Sequence, residues 1–206
     1  MPERNGTSTI TMRQRGFTLV ELVVTVTVLA LILMLAMPSV ASWLGNARIR
    51  NVADSIQNGL QIARAEAVRR NQNVSFWLVA VNDPSVLSND CTLSDISGSW
   101  VVSVNSPVGH CADKPSTVSS PMLVTGRAAG DAGGKVTVAS VQSDKSTAGT
   151  FVTFDGFGRV TNTDSIAQID VTGPGSSVNL RLAVSPAGLV RMCDPRVTDA
   201  NDPRKC

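Results

Sequence analysis

A glutamate inside an apolar segment is the residue of this sequence whose chemistry most needs an explanation. Glu21 lies in RGFTLVEL, residues 15–22, and the apolar run continues without another charge as far as Pro38. An ionised carboxylate within lipid is costly and marks a functional site whose partner has to be named. Cutting the chain after Gly16 would create that partner, an α-ammonium group on Phe17. The two charges would lie four residues apart on one helix face, or would pair between neighbouring subunits.

The apolar segment has the length of a membrane span. Residues 17–37 would form about 31 Å of helix, close to the ~30 Å hydrocarbon core of a bilayer. Arg13 and Arg15 precede it, which predicts a cytoplasmic N-terminus and an exported remainder. An ordinary signal peptide cut near residues 40–42 is the alternative. It is disfavoured because the run is long for such a peptide and because a signal peptide has no need of Glu21.

The segment GFTLVEL, with its short basic leader and Pro38 near the end of the apolar run, resembles the class III signal of type IV pilins and pseudopilins. The resemblance implies that a prepilin peptidase cuts between Gly16 and Phe17 and that the new amine of Phe17 is methylated. It also implies that Glu21 is the assembly carboxylate and that Pro38 kinks the helix. The implied location is the inner membrane, as a single-pass protein with a periplasmic head, and then the pilus fibre or its tip.

Residues 42–70 are predicted to continue the helix in amphipathic form, because their apolar side chains recur at helical spacing. The predicted buried stripe is Ile49, Val52, Ala53, Ile56, Leu60, Ala63 and Ala67. Asp54 and Glu66 interrupt the arginines of the opposite face, which favours a solvated surface over a basic binding site. The segment LQIARAEAVRR, residues 60–70, resembles the FimT/FimU minor pilins and the related H pseudopilin of type II secretion.

The chain beyond residue 72 is predicted to be rich in β-strands joined by turns. Ser185-Pro186-Ala187-Gly188 is predicted to close a hairpin, and FDGFGR, residues 154–159, a second turn. FDGFGR and the terminal VSPAGLVRMCDP are similar to the same FimT/FimU group. Residues 82–135 are predicted to be long loops or an insertion. The strands are expected at 74–81, 100–104, 136–141, 150–154, 166–171, 178–184 and 189–193.

These elements predict an α+β protein, with a long N-terminal pilin helix packed on a β-rich head of antiparallel strands. The membrane-spanning half of the helix precedes the amphipathic half. The expected organisation is a leader at 1–16, a transmembrane and assembly helix at 17–38, an amphipathic helix at 39–72 and a head at 73–206.

Four cysteines follow the apolar run, and none forms a CxxC pair. An even number behind an export-type segment favours two disulfides in an oxidising compartment. Three pairings are open, among which Cys91 with Cys111 and Cys193 with Cys206 close the shortest loops.

No arrangement of residues predicts an enzyme, and no cofactor or metal is expected. A catalytic triad or Cys-His site would have to use His110, the sole histidine, which stands beside Cys111 in a predicted loop. The sequence lacks the glycine patterns of dinucleotide and phosphate loops. Three C-terminal aspartates could offer oxygens to calcium, but without EF-hand spacing; they are Asp194, Asp199 and Asp202.

Nucleic acid is a possible but disfavoured partner. Some FimT proteins bind DNA through a Gly-Arg-x-Arg turn, and the corresponding positions, Gly188 to Arg191, carry Leu189 in place of the first arginine. The chain has a formal net charge of +2, and its first 16 residues alone contribute +2, which gives little support to phosphate binding. The candidate DNA contacts are Arg181, Arg191 and Arg196.

The predicted function is therefore that of a FimU/FimT-like minor pilin which primes pilus assembly at the fibre tip. Its predicted partners are other minor and major pilins, met through the N-terminal helix, together with prepilin peptidase and the inner membrane. A DNA-binding minor pilin for natural transformation and an H-type pseudopilin of type II secretion are the alternatives.

Overall fold

One long helix precedes nine strands in the computed structural model, which describes residues 17–130, 135–174 and 176–206. The chain divides into two units, residues 1–40 and 41–206. The predicted leader and Gly16 lie outside the described residues. The elements are α1 Leu19–Arg70, β1 Val74–Ala80, β2 Thr92–Leu93, β3 Ser99–Ser103, β4 Leu123–Arg127, β5 Thr137–Val141, β6 Phe151–Phe154, β7 Gln168–Thr172, β8 Leu180–Val184 and β9 Val190–Cys193.

Side-chain and backbone hydrogen bonds terminate α1 at both ends. At its start, the backbone N–H of Glu21 donates to Oγ1 of Thr18 over 3.2 Å, which satisfies one of the free donors of the first turn. At its end, Asn71 adopts a left-handed φ of 50° and its N–H donates to the carbonyl of Val68. The N–H of Gln72 donates to the carbonyl of Ala67. These bonds form a Schellman motif, which explains why the helix ends at Arg70.

The first unit exposes its apolar side chains. Every residue from 17 to 40 whose side chain is described is exposed. The hydroxyls of Thr25 and Thr27 donate to the carbonyls of Leu22 and Val23, so these polar groups are satisfied within the helix. Among the described residues, no single helix passes a test of length and apolarity for crossing a membrane, but Leu19–Met34 and Ser39–Arg70 pass together as a bent pair.

The second half of α1 supplies one wall of the main core of the second unit. All seven residues of the predicted apolar stripe are buried, with at most 3% of their surface exposed, so that prediction is confirmed. Gly59 allows the helix to approach the first sheet, because a β-carbon there would lie 2.8 Å from the rings of Phe76 and Trp100. The indole N–H of Trp100 also donates to Oγ of Ser55, which ties β3 to the helix.

The strands form two antiparallel sheets that share this core with α1. The first sheet has the order β2-β1-β3-β4, and β6 pairs with β1 beside β2. The second sheet has the order β5-β7-β8-β9. Each of the seven predicted strand regions overlaps with one of these strands, and the predicted α+β class with an antiparallel head is confirmed.

Residues 82–122 cover the second face of the first sheet, which explains why six of the seven residues of β1 are buried. The covering cluster contains Trp77, Val79 and Val101 from the strands, with the disulfide between Cys91 and Cys111 packed against them. A second disulfide joins Cys193 to Cys206. These are the two pairs with the shortest loops, and no free cysteine remains among the described residues.

The prediction of loops at 82–135 missed two strands. β2 has two residues and β4 reads LVTGR, so neither is long or alternating enough to be recognised by its pattern. Both are defined by pairing with β1 and β3, respectively. The segment is therefore part of the first sheet and of the cover on its outer face.

Removing the two disulfides is expected to have unequal effects. The loop-entropy model gives a stabilisation of about 3 kcal/mol for either disulfide. Cys91 and Cys111 are each only 2% exposed, so their replacement by serine also places two hydroxyls in an apolar cluster. We expect Cys91→Ser/Cys111→Ser to lower the midpoint of thermal unfolding more than Cys193→Ser/Cys206→Ser does. Equal midpoints would contradict this, and non-reducing peptide mass spectrometry checks the pairing.

Candidate functional site

The start of α1 carries Phe17, the predicted new N-terminus, and Glu21, the predicted assembly residue, about one helical turn apart. Phe17 is 82% exposed and precedes the capping residue Thr18 directly. Glu21 follows three residues after Thr18, in the first turn and with an exposed side chain. A negative charge is favourable at this end of a helix, where the free N–H groups carry partial positive charge.

Thr18 and Glu21 also form the sequence pattern of a capping box, in which a threonine is followed three residues later by glutamate. The structure shows the first half of this motif, the bond from the N–H of Glu21 to Thr18. This bond uses the backbone of Glu21 and not its carboxylate, so the role predicted for the carboxylate in assembly is separate from it. The spacing Thr-x-x-Glu is a sequence signal from which the helix start at Thr18 could have been predicted.

Pro38 lies inside α1, in the interval between the segments Leu19–Met34 and Ser39–Arg70. Its predicted role as the residue that kinks the helix stays a prediction.

In the second unit, the three segments whose sequences resemble the FimT/FimU group are in contact with each other. They are the helix segment around Arg64, the turn FDGFGR and the turn that follows β8. Nε of Arg64 donates to the carbonyl oxygen of Gly158 over 3.0 Å. The N–H of Val160 donates to the carbonyl of Pro186 over 3.0 Å, which joins the two turns. Residues as far as 94 positions apart in sequence are thus in direct contact.

The FDGFGR turn is organised around one carboxylate. Asp155 accepts hydrogen bonds from the backbone N–H groups of Phe157 and Arg159, over 2.9 and 2.8 Å. It also accepts two from the guanidinium of Arg159, over 3.2 and 3.1 Å. The bond from the Arg159 backbone is the largest of the causes that hold the pKa of Asp155 below its ordinary value. The lowered pKa favours the ionised carboxylate, which accepts these bonds from both Phe157 and Arg159.

The second turn closes the β8–β9 hairpin, as predicted. The N–H of Gly188 donates to the carbonyl of Ser185 over 2.8 Å, and the N–H of Ser185 donates to the carbonyl of Leu189 over 2.9 Å. Gly188 has a φ of 78° and is buried. A β-carbon at this position would lie 1.8 Å from the carbonyl oxygen of Gly158, so only glycine fits between the two turns.

The three arginines predicted as candidate DNA contacts are engaged within the protein. Arg181 pairs across the strands with Asp170, with Nε and Nη2 at 2.6 and 2.8 Å from its two carboxylate oxygens. The hydrogen bonds to Asp170 raise the pKa of Arg181. Arg191 donates to the carbonyls of Pro203 and Lys205 over 3.2 and 2.6 Å, and so binds the C-terminal segment.

Arg196 belongs to the same C-terminal segment. Its guanidinium donates to both carboxylate oxygens of Asp194 and to the carbonyl of Ser177. The side-chain bond to Arg196 is the main cause that lowers the pKa of Asp194. Nearby, Arg204 pairs with Asp202 and lowers the pKa of that carboxyl to about 2. Arg50, Arg196 and Arg204 line a groove of about 450 Å³, and aspartates pair with the last two of these arginines.

The other predicted site candidates are placed as follows. His110 lies in an exposed loop, where its Nδ1 contacts Oδ2 of Asp113 over 2.8 Å. Asp194 and Asp202 bind arginines, and Asp199 accepts a backbone N–H from Asn201. Within the described ranges, no three His, Cys, Asp or Glu residues are arranged to hold a metal ion.

Comparison with known families gives two matches along the sequence. Residues 52–188 match the family described as type II transport protein GspH. Residues 11–37 match the prokaryotic N-terminal methylation motif, which contains the predicted cleavage position and Glu21. No curated protein sequence matches the chain.

Two solved structures are similar to the chain, and both are crystal forms of the type IV minor pilin FimU from Pseudomonas aeruginosa. The form in space group P65 has a TM-score of 0.44 at 16% identity, and covers 69% of this chain and 90% of FimU. The form in P21 has a TM-score of 0.46 at 16% identity, and covers 70% and 87%.

The family assignment rests on the match at residues 52–188, which is more than half of the 206 residues, together with the methylation motif before it. Members of this group are structural subunits that interact with other pilins. This chain belongs to the GspH family and is a type IV minor pilin or pseudopilin of the FimT/FimU/GspH kind.

Proposed function

We propose that this chain is a minor pilin which is processed by prepilin peptidase after Gly16 and takes part in priming fibre assembly at the tip. The observation that carries the proposal is the first turn of α1. There, Glu21 lies four residues after Phe17, in the capped first turn of an exposed apolar helix. After cleavage, the new amine and the carboxylate would stand at the same end of the same helix.

The proposed sequence of events follows from the cost of burying charge. Before assembly, the apolar part of α1 holds the precursor in the inner membrane as a single span, with the head in the periplasm. During assembly the helix moves from lipid into a bundle of like helices, where its apolar surface stays dry. The cost of burying the Glu21 charge is then offset by the N-terminal ammonium of an adjacent subunit. The pair therefore favours the position of the adjacent subunit that brings the two charges together.

The structure of the second unit supports a structural role over DNA capture. Arg181, Arg191 and Arg196 each contact a carboxylate or a carbonyl of the same chain. Phosphate contacts would have to replace these bonds, and the neighbouring aspartates oppose an anionic ligand. The head is thus suited to fixed contacts with protein neighbours.

The family description provides a second candidate function. The model that matches residues 52–188 describes type II transport protein GspH, which favours an H-type pseudopilin of a secretion machine. Both machines would use the same processing and the same Glu21 pairing, so the two candidates differ in the fibre that contains the chain. Surface piliation and protein export, measured in one deletion strain, separate them.

Processing is tested by the N-terminus of the mature protein. We expect mass spectrometry of the chain purified from membranes to show a first residue Phe17 that carries one added methyl group. A strain without prepilin peptidase should retain the intact precursor, as the matched control. A mature chain that starts near Ser42 would contradict the proposal and would indicate an ordinary signal peptide.

A further inference from the structure

An exposed apolar surface stands where the FDGFGR turn, the β8–β9 turn and α1 meet. Phe157 is 77% exposed, Leu189 61% and Val68 51%. A β-carbon on Gly158 would lie 3.3 Å from Cγ2 of Val68, and Gly188 touches Gly158, so these residues are neighbours across three segments. We call this group, with Arg64, Arg69 and Arg159 at its rim, the Phe157 surface.

Several contacts hold the turns that carry the Phe157 surface. Asp155 holds the backbone N–H of Phe157, and the guanidinium of Arg159 lies 5.2 Å from the centre of the Phe157 ring. Gly188 packs against Gly158 without room for a β-carbon, and Arg64 bonds the same glycine from the helix. An exposed aromatic side chain on a turn held in this way is typical of a binding hot spot, because a preorganised surface loses little entropy on association.

The charges at the rim identify the partner. Arg69 binds both carboxylate oxygens of Glu66, and Arg159 binds Asp155. Arg64 contacts a neutral carbonyl, so its charge has no carboxylate against it in these contacts. Glu66 also accepts a hydrogen bond from Arg70 over 2.7 Å. Four arginines against two carboxylates leave a local charge of +2. A second copy of the chain would bring the same positive sign to the contact, whereas a surface with acidic groups around an apolar pocket would complement it.

The same contacts disfavour nucleic acid on this surface. Phosphate recognition by arginine uses the free guanidinium fork. The forks of Arg69 and Arg159 are already placed on carboxylates, which leaves Arg64 as the arginine of this rim without one. The apolar area of Phe157, Leu189 and Val68 is exposed.

We propose that the Phe157 surface binds the head of a different pilin-type subunit, through an apolar pocket rimmed by acidic residues on that subunit. The contact is additional to the pairing of N-terminal helices. This inference rests on the proposed function, because it requires the chain to stand in a fibre beside other subunits. In this proposal, the FimT/FimU-like turns of the head determine which subunit lies beside the chain in the fibre.

Photocrosslinking of the full chain in its host cells tests the inference. With p-benzoylphenylalanine at position 157, we expect one covalent adduct whose second chain carries its own prepilin signal and a different sequence. The crosslinked peptide should contain apolar residues beside Asp or Glu. The same probe at Val118, which is 86% exposed but lies outside the Phe157 surface, should give no such adduct.

A second pair of measurements separates binding from folding. With the probe at Leu189, Phe157→Ser should lower the yield of the adduct about thirtyfold, as expected for an aromatic hot spot. The thermal midpoint should not change, because Phe157 is exposed. An adduct with the same chain, with DNA or with lipid overturns the inference, as does no adduct. The N-terminus of the chain in the same cells separates the two proposals. If the chain begins at methylated Phe17, a failed crosslink overturns this inference alone. If it begins elsewhere, the proposed function itself is overturned.

Discussion

Glu21→Gln is expected to leave cleavage after Gly16 intact and to lower incorporation of the chain into fibres about a hundredfold or more. In the proposed assembly, the carboxylate of Glu21 meets an N-terminal ammonium within a dry helix bundle. Removing one member of such a pair leaves the other charge buried and unpaired, which costs several kcal/mol. The measurement is the amount of mature chain in sheared fibres relative to membranes, with export of secreted proteins measured in the same strains.

The choice of glutamine separates two roles of Glu21. Glutamine can still complete a capping box with Thr18, so a residue needed only for the helix start would tolerate it. If assembly requires the charge of Glu21, then Glu21→Gln and Glu21→Ala should lower incorporation into fibres equally. Asp54→Ala is the matched control, because Asp54 is an exposed carboxylate on the same helix. Normal incorporation of Glu21→Gln would contradict the assembly role.

Gly188→Ala is expected to destabilise the head far more than a glycine-to-alanine change elsewhere. A left-handed φ costs an alanine about 1–2 kcal/mol. The new β-carbon would also lie 1.8 Å from the carbonyl oxygen of Gly158, so the two turns would have to separate, at roughly 1–3 kcal/mol more. The bond from Arg64 to Gly158 would be strained by the same movement.

Gly109→Ala provides a matched control for backbone strain. Gly109 has a φ of 79°, nearly that of Gly188, but a β-carbon on it would meet no atom of the described residues within 4 Å. The difference between the two variants therefore measures the contact between the turns alone. We expect Gly188→Ala to have a thermal midpoint about 5–10 °C below that of Gly109→Ala. Equal midpoints would show that the turns can separate at little cost.

The two turns illustrate the limits of pattern recognition. The Ser-Pro-Ala-Gly turn and the FDGFGR turn could both be predicted, because their residues favour turns by local chemistry. Their contact with each other and with Arg64 could not, because it joins residues far apart in sequence. The Phe157 surface could not be predicted for the same reason, because a single phenylalanine at a protein surface is common.

The arginines of the C-terminal segment show a related limit. Their charges could be counted, and the intervening aspartates already argued against phosphate binding. Only the folded chain shows that Arg181 meets Asp170 on the adjacent strand and that Arg191 holds the carbonyls of the last residues. A side chain's partners across strands depend on register, which the composition of a segment does not encode.

Sequence by itself determined the elements whose signals are local. The class III signal, the amphipathic stripe of α1 and the hairpin all rest on residue types a few positions apart, where helix periodicity and turn preference act. Tertiary structure alone decided the pairing of β2 and β4, the choice among three disulfide pairings and the meeting of the three FimT/FimU-like segments. These features depend on which distant surfaces bury each other, and that free energy belongs to the whole packed core.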